Sequence, residues 1–373
     1  MKQGWKIQTL GDVATFINGD RSTNYPSKKD YVIDGIPFVN AGNLIQSGLD
    51  LETLNLISQS KYDSLTQGKF VEGDILFCLR GTLGKHSIVQ NGLNGAIASS
   101  LVIIRTKDGF NNKYISYFLD YKQPFIERLN NGAAQPNIPA KTMKGFPILL
   151  PPNEKQQQSI VEYLDSAFAQ IDELKSNAEK QLAEARALFQ SALTQAMQPK
   201  PGWQDFSFSQ IIKLKSGDNL PAKSFVEGAY PVYGGNGIAG YHNQYNKEGG
   251  QIVIGRVGAL CGNVRFIKSP FWLTDNGFEV ILNKEQKMDL LFLTYLLNFC
   301  NLRQYARQAA QPVISNVSLK DIQLSIPPIK EQQTIVAQLD ALSNRIRELD
   351  KISRKAAAEC EALKQALLRQ IFE

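Results

Sequence analysis

The chain has 373 residues, 43% of them hydrophobic and 20% charged, which excludes a disordered chain and a fibre and fits an ordinary globular protein. That length predicts two or three domains rather than one core. With 41 Lys and Arg against 35 Asp and Glu, the net charge of +6 is a mild basic excess, compatible with an anionic partner without requiring one.

The N-terminal stretch "MKQGWKIQTL" lacks the continuous apolar core of a signal peptide, and no stretch of the sequence approaches the ~20 apolar residues that span a bilayer. A cytoplasmic location is the expectation. The four cysteines, Cys78, Cys261, Cys300 and Cys360, form no CxxC pair, which argues against a zinc ribbon and a disulfide framework. With only His86 and His242, a histidine-rich metal site or a Ser/His/Asp triad has little material.

Residues 1–152 read as short β segments separated by Gly, Asn and Pro turns. Within them "GTLGKH" (81–86) resembles the end of a phosphate-binding loop, but Leu79 stands where the first Gly is required and His86 where Ser or Thr would meet magnesium. Pro151-Pro152 marks a change of pattern, because proline suits a helix start and not its interior. From 153 to 197 apolar residues recur every three or four positions, including Leu164, Phe168, Ile171, Leu174, Leu182 and Phe189, and predict a single helical stripe.

"MQPKPGW" (197–203) ends that helix, and residues 198–328 return to β-rich patterning. "GNGIAG" (235–240) matches a dinucleotide fingerprint letter for letter. The turn-like "YHNQYNKEGG" that follows cannot be the helix that receives a pyrophosphate. Pro327-Pro328 then precedes a second helix over 329–373, whose stripe includes Leu339, Leu342, Ile346, Leu349, Leu363 and Leu367. Each helix would be ~60 Å long at 1.5 Å per residue, too long to hide its stripe in one small domain, so the two stripes are expected to pair.

The chain is two copies of one unit. "AAQPNIPAKTMKGFPILLPPNEKQQQSIVEYLD" (133–165) returns as "AAQPVISNVSLKDIQLSIPPIKEQQTIVAQLD" (309–340). Upstream, "DILFCLRGTLGK" (74–85) answers "QIVIGRVGALCGN" (251–263), "YISYFLDY" (114–121) answers "FLTYLLNF" (292–299), and "GWKIQTL" (4–10) answers "GWQDFSF" (202–208). The copies diverge between residues 20 and 70 and their counterparts, and an extra residue in "NEKQQQ" relative to "IKEQQ" leaves the register of the two helix starts open. Charge divides unevenly: 16 basic against 12 acidic residues in 1–152, and 13 against 9 in 198–328, while the helices carry 4 against 7 and 8 against 7. The positive excess therefore lies in the β-rich units, which suits two separate anion-binding modules such as DNA readers.

This arrangement resembles the specificity (S) subunit of type I restriction-modification enzymes, over essentially the whole chain. The resemblance rests on the two Pro-Pro passages at the two domain ends and on "YPVYGGNGIAGY" and "WLTDNGFEVIL" in the second unit. It implies an α+β fold: two β-rich target recognition domains in pseudo-twofold repeat (1–152 and 198–328), separated by a long antiparallel two-helix coiled coil (153–197 and 329–373). It further implies that each domain reads half of a bipartite double-stranded DNA site, and that the coiled coil sets the half-site spacing and docks two methyltransferase (M) subunits. Restriction subunits would join through that core. On this resemblance the chain is non-catalytic and binds no cofactor or metal. S-adenosylmethionine would belong to the M subunits, which methylate adenine at N6, and ATP and magnesium to the restriction subunit.

DNA contacts are expected from polar and basic residues in Gly-rich turns, where backbone approaches phosphate closely and side chains reach a groove. In the first unit these are Arg21, Lys28, Lys29, Asn43, Arg80, Lys85 and Gln135. In the second they are Lys215, Lys223, Tyr233, Asn236, Arg256, Asn263, Arg265 and Gln311. Arg80 and Arg256 are read as a matched pair, since arginine can grip a guanine edge or a phosphate with two donors. A coiled-coil scaffold with two protein-binding β domains, or a self-contained nuclease, remain alternatives from other classes.

Overall fold

The computed structural model describes residues 3–45, 48–90, 92–129, 137–283, 287–307 and 311–373. The chain forms two compact units, Met1–Asn177 with Arg354–Glu373, and Ala178–Ser353. Each unit therefore takes one β-rich segment together with a length of both long helices, so the compact units are not contiguous in sequence.

The strands common to the two units are, in unit 1, β1 (Lys6–Thr9), β2 (Ala14–Asn18), β3 (Ile75–Cys78), β4 (His86–Ile88), β5 (Leu101–Thr106) and β6 (Pro147–Leu150). In unit 2 they are β7 (Gln204–Ser207), β8 (Ile212–Ser216), β9 (Gln251–Gly255), β10 (Val264–Ile267), β11 (Gly277–Leu282) and β12 (Gln323–Ile326). Unit 1 has an antiparallel sheet in the order β4-β3-β5-β2 and a separate β1-β6 pair; unit 2 has β10-β9-β11-β8 and β7-β12. The second set repeats the first with every number raised by six, so the internal repeat of the sequence is a repeat of topology.

Helix α1 (Asn112–Arg128) packs on the unit 1 sheet and α3 (Leu290–Phe299) on that of unit 2. Alternation along the central strands explains the layering. Ile75 and Phe77 of β3 join the core beneath α1, whereas Leu76 and Cys78 face the opposite layer with Val39, Phe70 and Ile97. Ile252 and Ile254 of β9 face α3, and Val253 packs against Phe271 and Leu273 behind it. A strand buried on both faces reads as a continuous apolar run, which is why "DILFC" and "QIVIG" stand out.

The layer behind the shared sheet is where the units differ. Among the described residues its sheet has five strands in unit 1, with a separate two-stranded Leu44–Ile45/Gly48–Leu49 pair, and three in unit 2. Both keep one parallel pair, Ile36–Val39 with Gly95–Ile97 and Tyr230–Gly234 with Trp272–Leu273. The turn 235–236 in "GNGIAG" joins two antiparallel strands, with Gly237 at φ +105°, as its sequence context requires.

The long helices are α2 (Glu154–Ala196, 43 residues) and α4 (Ile329–Phe372, 44 residues), each about 65 Å at 1.5 Å per residue. In unit 1 they run antiparallel: Lys364 meets Asp172 at 2.6 Å while Lys175 meets Glu361 at 3.5 Å. In unit 2 Arg186 lies 3.1 Å from Asp350. Leu164, Ile171 and Leu339 are buried, and Phe168, Leu182, Phe189, Leu342, Ile346, Leu349 and Leu367 are half-buried, as the stripes predict.

Two stripe positions differ from expectation. Leu174 is 64% exposed and Leu363 49%. In each case the neighbouring lysine, Lys175 or Lys364, turns into the seam and pairs with a carboxylate of the other helix. A lysine buries its aliphatic stem readily when its ammonium group finds an acid.

The extra residue before α2 is absorbed at the helix start. Asn153 caps α2 by accepting the Gln156 N–H at 3.0 Å, and from Gln157 onward the two helices are in step with Gln332 and its successors. Gln157 Oε1 accepts the Asn111 N–H at 2.8 Å, and Gln332 Oε1 the Asp289 N–H at 2.8 Å. No helix is long and apolar enough to cross a membrane among the described residues.

Candidate nucleic-acid interface

The loops between β3 and β4 and between β9 and β10 hold the best sequence candidates. Both turn on glycines in the left-handed region, Gly81 (φ +90°) with Gly84 (φ +81°), and Gly258 (φ +94°) with Gly262 (φ +89°). These angles are reached cheaply only without a Cβ. Each loop is tied to the passage before β6 or β12: Ile138 N–H donates to Leu79 O at 3.0 Å, and Ile314 N–H to Arg256 O at 2.9 Å.

Those hydrogen bonds fix the correspondence and correct one expectation. Arg256 occupies the position of Leu79, not of Arg80; Arg80 bridges Asn137 as Val257 bridges Val313. One step along an extended chain reverses the side chain's direction. Arg80 is accordingly exposed, with Nε 3.3 Å from Asn137 Oδ1. Arg256 is half-buried, its guanidinium 5.3 Å from the Phe278 ring centroid and Nη1 donating to Asp275 O at 3.3 Å. The two arginines are not a matched pair.

Arg21, Lys28 and Lys29 are exposed along the 21–30 segment, where Ser27 and Asp30 cap the single turn Lys28–Asp30. Lys85 is half-buried and donates to Ala41 O at 3.2 Å. Asn43 departs from its assignment as a surface contact. It is 2% exposed, accepts the Asn40 N–H at 2.9 Å and donates to Thr53 O at 3.1 Å, so its amide is spent on folding its own turn. Gln135 lies outside the described residues. In unit 2 Lys215, Lys223, Asn263 and Gln311 are exposed, and Asn236, also exposed, accepts the Leu260 N–H at 2.9 Å.

Tyr233 and Arg265 are brought together in a cleft of about 550 Å³ that also includes Lys268, Tyr295, Asp340 and Arg347. Burial raises the Tyr233 phenol above its ordinary value, and Arg265 opposes the rise. Tyr295 donates to Asp340 at 2.5 Å; burial first, then this carboxylate, hold the phenol protonated. Lys268 and Arg347 were not among the sequence candidates. Arg347 lies on a long helix whose charges average out, and only its sequence offset of seven from Asp340 places it on the same helix face. Among the described residues no cluster of three or more His, Cys, Asp and Glu could hold a metal ion.

The family model described as "Type I restriction modification DNA specificity domain" matches residues 2–184 and 200–359. The chain is 28% identical over 356 residues to the EcoprrI specificity subunit of Escherichia coli, covering 89% of this chain and 87% of that one. It is 23% identical to the putative MjaX specificity subunit of Methanocaldococcus jannaschii, covering 99% and 93%. Among solved structures it is similar in fold to a chain from a study of complex assembly and conformational transition in the type I R-M system, with TM-score 0.79, 18% identity and coverage of 100% and 98%. The HsdS subunit from Thermoanaerobacter tengcongensis aligns with TM-score 0.56, 17% identity and coverage of 100% and 97%.

Proposed function

The chain belongs to the type I restriction-modification DNA specificity family, and from that premise we propose how its parts divide the work. Each unit reads one half of a bipartite duplex site. The paired helices set the distance between the halves and dock two M subunits, through which restriction subunits join. The chain itself carries out no catalysis and holds no cofactor. S-adenosylmethionine is bound by the M subunits, which methylate adenine at N6, and ATP and magnesium by the restriction subunit, in the cytoplasm.

The observation that carries this reading is the contrast between the two layers of each unit. The sheet under α1 and its counterpart under α3 share one strand order, while among the described residues the sheet behind has five strands in one unit and three in the other. Identical mounting with different exposed surfaces is what two unequal half-sites need, since specificity comes from side chains meeting base edges. Exposed Leu174 and Leu363, displaced from the seam by lysines, support a protein partner on the helices.

Mapping methylated adenines in DNA from cells carrying this chain and its M partner tests the proposal. Two fixed half-sites separated by a constant unread gap are expected. A continuous motif, or methylation without a motif, would overturn it. The isolated chain should leave DNA uncut when only magnesium is added.

A further inference from the structure

The cleft of unit 2 has a counterpart in unit 1, and the two differ in charge. The strand registers align Ser87 with Arg265 and Gln90 with Lys268, because His86 pairs with Phe77 where Val264 pairs with Ile254. Asp165 and Asp340, hydrogen-bonded respectively to Tyr117 and Tyr295, align the helices, so that Asp172 corresponds to Arg347. All six residues line their respective clefts. Three positions that are serine, glutamine and aspartate in unit 1 are thus arginine, lysine and arginine in unit 2.

The unit 1 cleft is neutralised from within. Lys113 pairs with Asp165 at 2.7 Å, Lys175 with Glu361 at 3.5 Å and Lys364 with Asp172 at 2.6 Å. In the unit 2 cleft, among the described residues, Arg265, Lys268 and Arg347 form no ion pair with a carboxylate. The acid present, Asp340, accepts from Tyr295. Among the described residues, Arg347 donates to the Ser343 hydroxyl, at 3.4 Å. Three cations face one carboxylate that none of them pairs with, and such a positive excess around one concavity is stabilised by an incoming anion.

We propose that this cleft seats a phosphate of the DNA backbone, gripped by Arg265 and Lys268 from the reader and by Arg347 from the long helix. The inference rests on the DNA-reading function proposed above, and adds that a spacer helix touches DNA on one side of the site only. DNA is favoured over a free anion because the cleft opens beside the variable layer. Tyr233 belongs to that layer, and the Arg265 guanidinium lies 3.4 Å from where a Cβ on Gly237 would stand in its turn. Three cations around a 550 Å³ opening exceed what a single small anion requires.

Phosphate contacts are independent of sequence, so the target need not be known. Binding of the full chain to a mixed-sequence duplex is measured by fluorescence anisotropy over a salt series, alone and co-purified with its M subunit. Arg347→Gln and Lys268→Gln should each weaken binding and lower the slope of log K against log salt by about one. Lys175→Gln, which removes the same charge from the self-neutralised cleft of unit 1, should leave the slope unchanged. Equal loss in all three variants would reduce the effect to net charge and overturn the proposal. So would unchanged slopes in both unit 2 variants with normal melting curves, while leaving DNA reading by the chain intact. If the wild-type chain shows no salt-dependent duplex binding in either form, the functional reading itself fails. Loss of M-subunit co-purification with an unchanged slope would assign the cleft to a protein acid instead, and overturn the phosphate.

Discussion

The side-chain oxygen of Gln332 accepts the backbone N–H of Asp289 at 2.8 Å, while its nitrogen donates to Pro327 O at 2.9 Å. One amide thus joins the start of α4 to the residue that caps α3, and Asp289 in turn accepts the N–H groups of Leu291 and Phe292. Gln157 holds Asn111, the cap of α1, in the same way. The repeated "Pro-Pro … Gln" passage recurs because each reader is joined to its long helix by this contact. Gln332→Leu should destabilise unit 2 by about 2–4 kcal/mol, since two hydrogen bonds are lost at a site 1% exposed and two backbone groups are orphaned. Urea unfolding followed by tryptophan fluorescence checks it, with Trp203 and Trp272 both in unit 2.

The seam lysines give a second test. Lys364 is buried, stacks 5.2 Å from the Phe168 ring and pairs with the half-exposed Asp172. Asp172→Ala strands an ammonium group in the seam and should cost about 1–3 kcal/mol, at or below the usual range for a fully buried pair. Lys364→Met keeps the stem and removes the charge, and should change stability by less than ~1 kcal/mol. Thermal unfolding distinguishes them; equal losses would mean that the ion pair itself, rather than the stranded charge, sets the energy.

These lysines also show where sequence reading stops. The period of three and four found both long helices and most of their seam, because apolar spacing is a property of one chain. It chose Leu174 over Lys175 and Leu363 over Lys364, because the acids that draw the lysines inward lie nearly two hundred residues away. Asn43 looked like a surface turn residue and is buried, since turn chemistry and turn burial use the same side chain. Arg80 and Arg256 both precede Gly-rich turns in answering passages of the repeat, but the backbone hydrogen bonds of Ile138 and Ile314 place Arg256 one residue off. The charged cleft at Arg347 needed three segments brought together, which no local pattern reports.

Asp20 is 2% exposed and accepts from Ser22 N, Thr66 N and Thr66 Oγ1 at 2.7–2.9 Å. Burial works against its ionisation, but these hydrogen bonds outweigh burial and hold the carboxyl well below its ordinary value. A depressed folded-state value means that the carboxylate's stabilisation is complete above the unfolded value near 4 and is lost as pH falls toward the folded one. Asp20→Asn should therefore lower the melting temperature at pH 7, and the gap to wild type should narrow below about pH 4. A gap constant across that range would remove the charge from the explanation.

Arg80 and Arg256, being one residue out of step, should fail differently. Arg80→Ala takes away an exposed guanidinium and should weaken duplex binding by ~1–3 kcal/mol if it meets a base edge, with little change in melting. Arg256→Ala removes a guanidinium that covers Phe278 and bonds Asp275 O, so its main effect should be on the stability of unit 2. Anisotropy and melting curves measured on the same preparations separate the two, and a purely binding defect in Arg256→Ala would return it to the interface.

The spacer reading can be tested by lengthening both helices together. Lys175 faces Glu361 in unit 1, and Arg186 faces Asp350 in unit 2; in both pairs the residue numbers add to the same total, so Asn177 lies opposite Glu359. Seven residues inserted after Asn177 and seven before Glu359 leave these interhelix pairs intact, since each partner keeps its neighbour on its own side of the insertions, and split the exposed Lys355–Glu359 pair within α4. One heptad preserves the facing of the seam to within about 20°, whereas four residues would introduce a stutter. The added length is about 10 Å at 1.5 Å per residue, or roughly three base pairs at ~3.4 Å each. The methylated motif should therefore keep both half-sites and widen its gap by about three positions. An active variant with an unchanged gap would show that something other than helix length sets the spacing. Altered half-site letters would mean that the helices take part in reading bases, a role wider than the single backbone contact proposed for Arg347.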